Sequence, residues 1–172
     1  MSNPTKTLGE SSSAILGDPS AGVPFATTLH VRDTCLCLHV QRAARSLARR
    51  FDEALRPFGL TNGQFSLLMS LNRPQPPGMA SVATLLAMDR TTLTAALKPL
   101  ERRGLVAVTV DPADRRGRLL ALTPPGLALL ASAVPIWTRE HAAIERLLSD
   151  RNAEGANLAS PDQLRGALRA LS

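Results

Sequence analysis

The stretch MASVATLLAMDRTTLTAALKPLERRG, residues 79–104, decides how the rest of the chain is read. Met79, Val82, Ala83 and Leu86 recur at i, i+3, i+4 and i+7, and Leu93, Ala96, Leu97 and Leu100 repeat that spacing, so two short helices are predicted, each burying one face. Between them Ala87-Met88-Asp89 leaves room only for a tight turn. Asp89 suits an N-cap, because its carboxylate can accept from a free amide and complements the positive end of the helix. Small Ala83 marks a close crossing of the two helices, and Ala87 stands where such turns often carry Gly. Gly104 is expected to close the second helix. Pro99 falls inside it, removes the bond to the Ala95 carbonyl, and should cost roughly 3 kcal/mol unless the helix bends there, so a bend is expected.

The outward face of the second helix follows from geometry: Thr91, Thr94, Ala95, Lys98 and Arg102 lie opposite Leu93, Leu97 and Leu100, and no acid stands among them. Short hydroxyls near the N-terminus with cations further along suit a helix that enters a major groove, touches base edges and holds flanking phosphates. An ordinary solvated face carries the same residue types, so the following segment has to decide. There Val106, Val108 and Val110 alternate with Ala107 and Thr109, and Leu120 and Leu122 with Ala121, predicting two strands around Asp111-Pro112-Ala113-Asp114-Arg115-Arg116-Gly117-Arg118. An Arg-tipped hairpin beside a helix-turn-helix suits the minor groove, where narrow A·T tracts concentrate negative potential. Asp114, two residues from Arg116, is placed to brace it.

Working outward, residues 1–33 are rich in Ser, Thr, Gly and Pro without periodicity and read as a flexible arm. Leu36, Val40, Ala44, Leu47, Phe51 and Leu55 give a helix over 34–57, closed by Pro57. Thr61-Asn62-Gly63-Gln64 opens another as a capping box. After the hairpin, helices are expected over 124–149, starting at Thr123-Pro124-Pro125, and over 161–171, starting at Ser160-Pro161. The fold class is mainly α (α+β): a single domain over 34–172, with a winged helix-turn-helix at 61–123 and N- and C-terminal helices around it.

Composition agrees. With 44% hydrophobic residues but only 3% aromatic ones, the core must come from Leu, Ala and Val, the residues of helix packing. The net charge of +6 points to a polyanionic partner, and the basic residues are Arg except Lys6 and Lys98. A GC-rich genome would also favour Arg. No stretch approaches the roughly 18 apolar residues of a membrane span, and the start has no signal-peptide pattern, so a cytoplasmic protein is expected.

With these residues in hand, the chain resembles the MarR family of bacterial regulators. The resemblance is carried by Leu60-Thr61-x-x-Gln64-Phe65, by Met88-Asp89-Arg90-Thr91-Thr92-Leu93-Thr94 and by Leu100-Glu101-Arg102-Arg103-Gly104-Leu105-Val106. Downstream, Asp111-Pro112-x-Asp114-Arg115-Arg116 and Leu122-Thr123-x-x-Gly126 complete it. It implies a homodimer whose terminal helices intertwine and whose recognition helices enter successive major grooves of double-stranded DNA at a near-palindromic operator. Arg116 matches the wing-tip Arg, Asp114 its bracing acid, and Thr91, Thr92, Thr94 and Lys98 the recognition-helix contacts. Arg90, Arg102, Arg115 and Arg118 add cations to that surface. Ala95 and Ala96 stand where relatives often carry larger polar residues. The resemblance further implies a repressor released by a small phenolic or aromatic acid, or by thiol oxidation, with no cofactor.

For the effector, His39, Arg45 and Trp137 are the candidate pocket residues, although a Trp at helical spacing also serves as core. Cys35-x-Cys37-x-His39 offers the alternative, a redox or metal response. Cysteines at i, i+2 on a helix point to different faces, so a metal would require His39 or His141 and a later helix start. A thiol of lowered pKa could form at the helix N-terminus near Arg32 and Arg42. Packing of both cysteines at a dimer interface is the simpler expectation. An enzyme needs a nucleophile with its base, paired carboxylates or a phosphate-cradling Gly loop, and the sequence presents none. A helical module binding acidic partners or membrane surface would fit the charge but not the hairpin behind the helix-turn-helix.

Overall fold

A computed structural model describes residues 22–155 and 158–171. Helices α1 (Phe25–Thr34), α2 (Leu36–Leu55), α3 (Asn62–Leu71), α4 (Met79–Leu85) and α5 (Arg90–Arg102) lead into strands β1 (Val106–Val110) and β2 (Arg118–Leu122), followed by α6 (Pro124–Ala153) and α7 (Pro161–Arg169). A 3-10 turn over Arg56–Phe58 ends the α2 segment, with Gly59 in the left-handed region at φ 60°. Two compact units divide at Ala44 and Arg45, within α2.

In the first unit the structure corrects the reading of residues 1–33 as a flexible arm. Phe25–Thr34 is helical, and residues 1–21 lie outside the described residues. This helix buries no residue and has no apolar stripe, so periodicity has nothing to detect. Cys35, in an extended conformation at φ −70° and ψ 103°, separates it from α2.

The second unit holds the core. Leu55, Leu67, Leu68, Val82, Leu93, Leu100, Leu120 and Leu130 are the largest fully buried side chains, drawn from α2 to α6 and the hairpin. Each such burial contributes about 1.5–3 kcal/mol. The Thr61–Gln64 capping box forms in both directions and starts α3. Pro124 opens α6 behind Thr123, whose hydroxyl accepts from the Gly126 amide, and Ser160 with Gln163 forms a second capping box at α7. Helix α6 runs to Ala153, past the expected end at 149.

Both helices of the 79–104 stretch end in the same hydrogen-bond pattern. After α4, Ala87 N–H donates to Thr84 O and Met88 N–H to Ala83 O; after α5, Gly104 N–H donates to Glu101 O and Leu105 N–H to Leu100 O. These are Schellman caps, which place one residue in the left-handed region. Gly104 adopts φ 67° without cost, whereas Ala87 adopts φ 50° with a Cβ and is the sole non-Gly residue at positive φ among those described. Helix α5 continues through Pro99 to Arg102; Ala95, whose carbonyl loses its donor, is exposed to water.

Strands β1 and β2 pair antiparallel with Val106 opposite Leu122 and Val110 opposite Arg118. The sequence reading misses a third partner: Leu120 N–H donates to Pro77 O at 2.9 Å and Gly78 bridges Leu119, tying the start of α4 to the hairpin.

Candidate nucleic-acid interface

Helix α5 is fixed at its start by Asp89, which accepts from Thr92 N–H at 2.8 Å and from the Thr92 hydroxyl at 2.6 Å. The Thr92 hydroxyl, and then its amide, hold the Asp89 carboxyl below the usual carboxylate range. At the other end Arg103 crosses to the 3-10 turn, donating to Gly59 O at 2.6 Å and Phe58 O at 3.2 Å. Thr123 joins this end to α6: its amide donates to Leu105 O and its hydroxyl to Gly104 O at 2.6 Å. A Cβ on Gly126 would lie 2.0 Å from Leu105 O, so only glycine permits this approach. That accounts physically for the Leu122-Thr123-x-x-Gly126 pattern.

So held, α5 buries Leu93, Leu97 and Leu100 and exposes Arg90, Thr91, Thr92, Thr94, Lys98 and Arg102. Equal in sequence, these polar residues differ in availability. The Thr92 hydroxyl proton is used on Asp89 and that of Thr94 on Arg90 O at 2.7 Å. Thr91, Lys98 and Arg102 have no side-chain partner among the described residues. Arg90 and Thr94 also line a groove running from α5 to the hairpin, where Arg118 and Glu101 face them; Glu101 brings an acid that the outward-face reading left out.

The wing loop is organised by its two acids. Asp111 accepts from Ala113 N–H at 2.8 Å, and Asp114 accepts from Arg116 N–H at 2.9 Å. The expected brace of Arg116 by Asp114 thus acts through the main chain and leaves the guanidinium available. Gly117 N–H donates to Asp114 O at 2.7 Å and closes the loop. Arg118 folds back to donate to Arg115 O and Gly117 O, so it holds the loop, while Arg115 and Arg116 are exposed without a partner among the described residues.

Of the effector candidates, Trp137 lines a cavity. It is a hollow of about 390 Å³ within the second unit, between α3, α4 and α6. Phe65 and Trp137 stack along one wall with ring centroids 6.2 Å apart, and His141 also stacks on Trp137, at 4.8 Å. Arg45 does not line it. His39 lies in the first unit, its ring nitrogen 3.3 Å from Asp33 O. In that unit Cys37 is exposed beside Gln41, and half-buried Cys35 accepts from Leu38 N–H at the start of α2. Among the described residues no three His, Cys, Asp or Glu side chains cluster as metal ligands, and no helix is long and apolar enough to cross a membrane.

A helix capped at both ends, exposing hydroxyls and cations beside an Arg-tipped hairpin, defines a winged helix-turn-helix DNA-binding protein. The MarR family profile matches residues 60–117. A transcriptional regulatory protein for the hcr operon of Thauera aromatica is 30% identical over 118 residues, covering 67% of this chain and 70% of that protein. The structure of the M. tuberculosis transcriptional regulator MosR in complex with DNA aligns with a TM-score of 0.67 at 36% identity, over 80% of this chain and 92% of that one. BpsR of Bordetella bronchiseptica, whose DNA binding is regulated by 6-hydroxynicotinic acid, aligns with a TM-score of 0.61 at 26% identity, over 79% and 89% of the two chains. The chain belongs to the MarR family and is a DNA-binding transcriptional regulator.

Proposed function

We propose that the protein is a sequence-specific repressor, acting as a homodimer on a near-palindromic operator and released by a small phenolic or aromatic acid. The observation that carries this reading is the pairing of uncommitted groups: Thr91, Lys98 and Arg102 on α5 with Arg115 and Arg116 on the wing. The hydroxyl and the α5 cations suit a major groove and its phosphates, and the wing guanidiniums suit an adjacent minor groove. Arg90, Thr92, Thr94 and Arg118 position these groups and border the same surface, and Asp114 shapes the wing.

A second copy of the chain is favoured by apolar side chains left exposed among the described residues. Phe25, Val31 and Leu36 in the first unit, and Leu147, Leu164 and Leu168 in the second, are exposed. For the effector, the Phe65–Trp137 wall offers an aromatic face, and BpsR supplies a relative responding to an aromatic acid.

Fluorescence anisotropy with an inverted-repeat duplex recovered by selection, and with its scrambled counterpart, tests the reading across a salt series. Affinity for both should fall steeply with salt while the preference for the repeat persists. Equal binding to the two duplexes refutes sequence-specific recognition. The thiol-responsive alternative rests on Cys35 at the start of α2. Under the effector reading, the Cys35→Ser, Cys37→Ser double variant responds to peroxide as the wild type does. Oxidant release confined to the wild type would install the thiol reading instead.

A further inference from the structure

Arg102 and Arg103 are adjacent and both exposed at the end of α5, yet their side chains are used differently. Arg102 has no side-chain partner among the described residues. Arg103 reaches back 44 and 45 residues in sequence, donating through one Nη to Gly59 O at 2.6 Å and through the other to Phe58 O at 3.2 Å. Neither carbonyl accepts from a backbone amide among the described residues, as befits the end of a helix, so the guanidinium fork caps the turn that closes the α2 segment. That turn is a firm anchor. Leu55 and Leu60 on either side of it are buried, and Asp52 of α2 accepts from the Asn62 amide at 2.6 Å, locking the start of α3 to α2.

The cap at Asp89 is local, joining α5 to its own first turn, whereas Arg103 ties the helix to a distant segment. Its leverage is large. A tilt of about 10° at Arg103 carries Thr91, roughly 18 Å away at ~1.5 Å per residue, through about 3 Å, the span of a whole hydrogen bond. We propose that Arg103 is a positioning residue for sequence recognition: it holds α5 at the angle at which Thr91 and the groups around it reach base edges, and does not itself meet the duplex. This rests on the sequence-specific reading above and adds to it a residue that decides selectivity rather than attraction to phosphate.

The rival role for an exposed cation here is a phosphate contact, and the two roles move different quantities. Anisotropy is measured across a salt series on full-length wild type, Arg102→Ala, Arg103→Ala and Arg103→Lys, with the inverted-repeat duplex and its scrambled counterpart. Arg103→Ala should lower the preference for the repeat at least about tenfold, with affinity for the scrambled duplex and the salt slope as in the wild type. Arg103→Lys keeps the charge but lacks the fork that spans both carbonyls, and should recover only part of the preference. Arg102→Ala should weaken both duplexes alike and reduce the slope by about one. An unchanged preference in Arg103→Ala overturns the proposal, as do equal losses on the two duplexes: with a flatter slope Arg103 is a phosphate contact, and with an unchanged slope it serves stability alone. Full recovery by lysine also overturns it, since charge rather than the fork would then suffice. A wild type that binds both duplexes equally sinks the sequence-specific reading itself, whichever way the variants behave.

Discussion

Helix α5 and the wing expose the same kinds of group but hold them by different means. Helix α5 is immobilised at its ends, by Asp89 at the start and by Gly104, Arg103 and Thr123 at the finish, so its outward side chains are positioned by helical geometry alone. The wing has no such frame. Its seven-residue loop takes shape from Asp111, Asp114 and Arg118, each bonded to the main chain, which leaves Arg115 and Arg116 uncommitted. A charged residue on this surface is therefore either cargo or scaffold, and only its hydrogen bonds say which.

Both arms meet at Thr123 and Gly126, so the largest effect should come from breaking that junction. Gly126→Ala sets a Cβ against Leu105 O and should cost about 3 kcal/mol, read by urea unfolding, and should weaken helix and wing contacts together. A variant as stable as the wild type would show that the junction yields. The next effect separates cargo from scaffold. Arg116→Ala should weaken operator binding at least about tenfold without altering dimerisation, and should flatten the salt dependence by about one phosphate contact. Arg118→Ala should instead loosen the loop, seen as faster amide exchange at Gly117, with a smaller loss of affinity. Equal losses in affinity would erase the distinction between the two arginines.

Smaller effects probe the helix side. Asp89→Ala removes the N-cap and should lower Tm by roughly 2–4 °C. Because the folded Asp89 carboxyl is held below its usual range, chiefly by the Thr92 hydroxyl, its contribution is full above the unfolded value and is lost as pH falls through the folded one. Wild-type stability should thus decline more steeply than that of Asp89→Asn below about pH 4. Parallel pH curves would show that the cap does not depend on charge. The smallest expected change is a gain: Ala87→Gly relieves the left-handed alanine and should stabilise by about 0.5–1 kcal/mol. A loss would mean that the Ala87 methyl packs usefully in the turn.

The sequence by itself determined what depends on residues within a turn of one another. The capping boxes, the Asp89 cap, the left-handed positions at Ala87 and Gly104, the buried stripes and the hairpin all follow from short spacings, because the bonds that make them join near neighbours. Periodicity failed at α1, which has no apolar stripe. Tertiary structure alone decided which cations stay available, since Arg103 finds its acceptors 44 and 45 residues away and Arg73 bridges α3 to α4. It alone set Phe65 against Trp137 and Gly126 against Leu105 O. Contacts of a few ångströms between distant segments depend on how the helices pack, which no local spacing records.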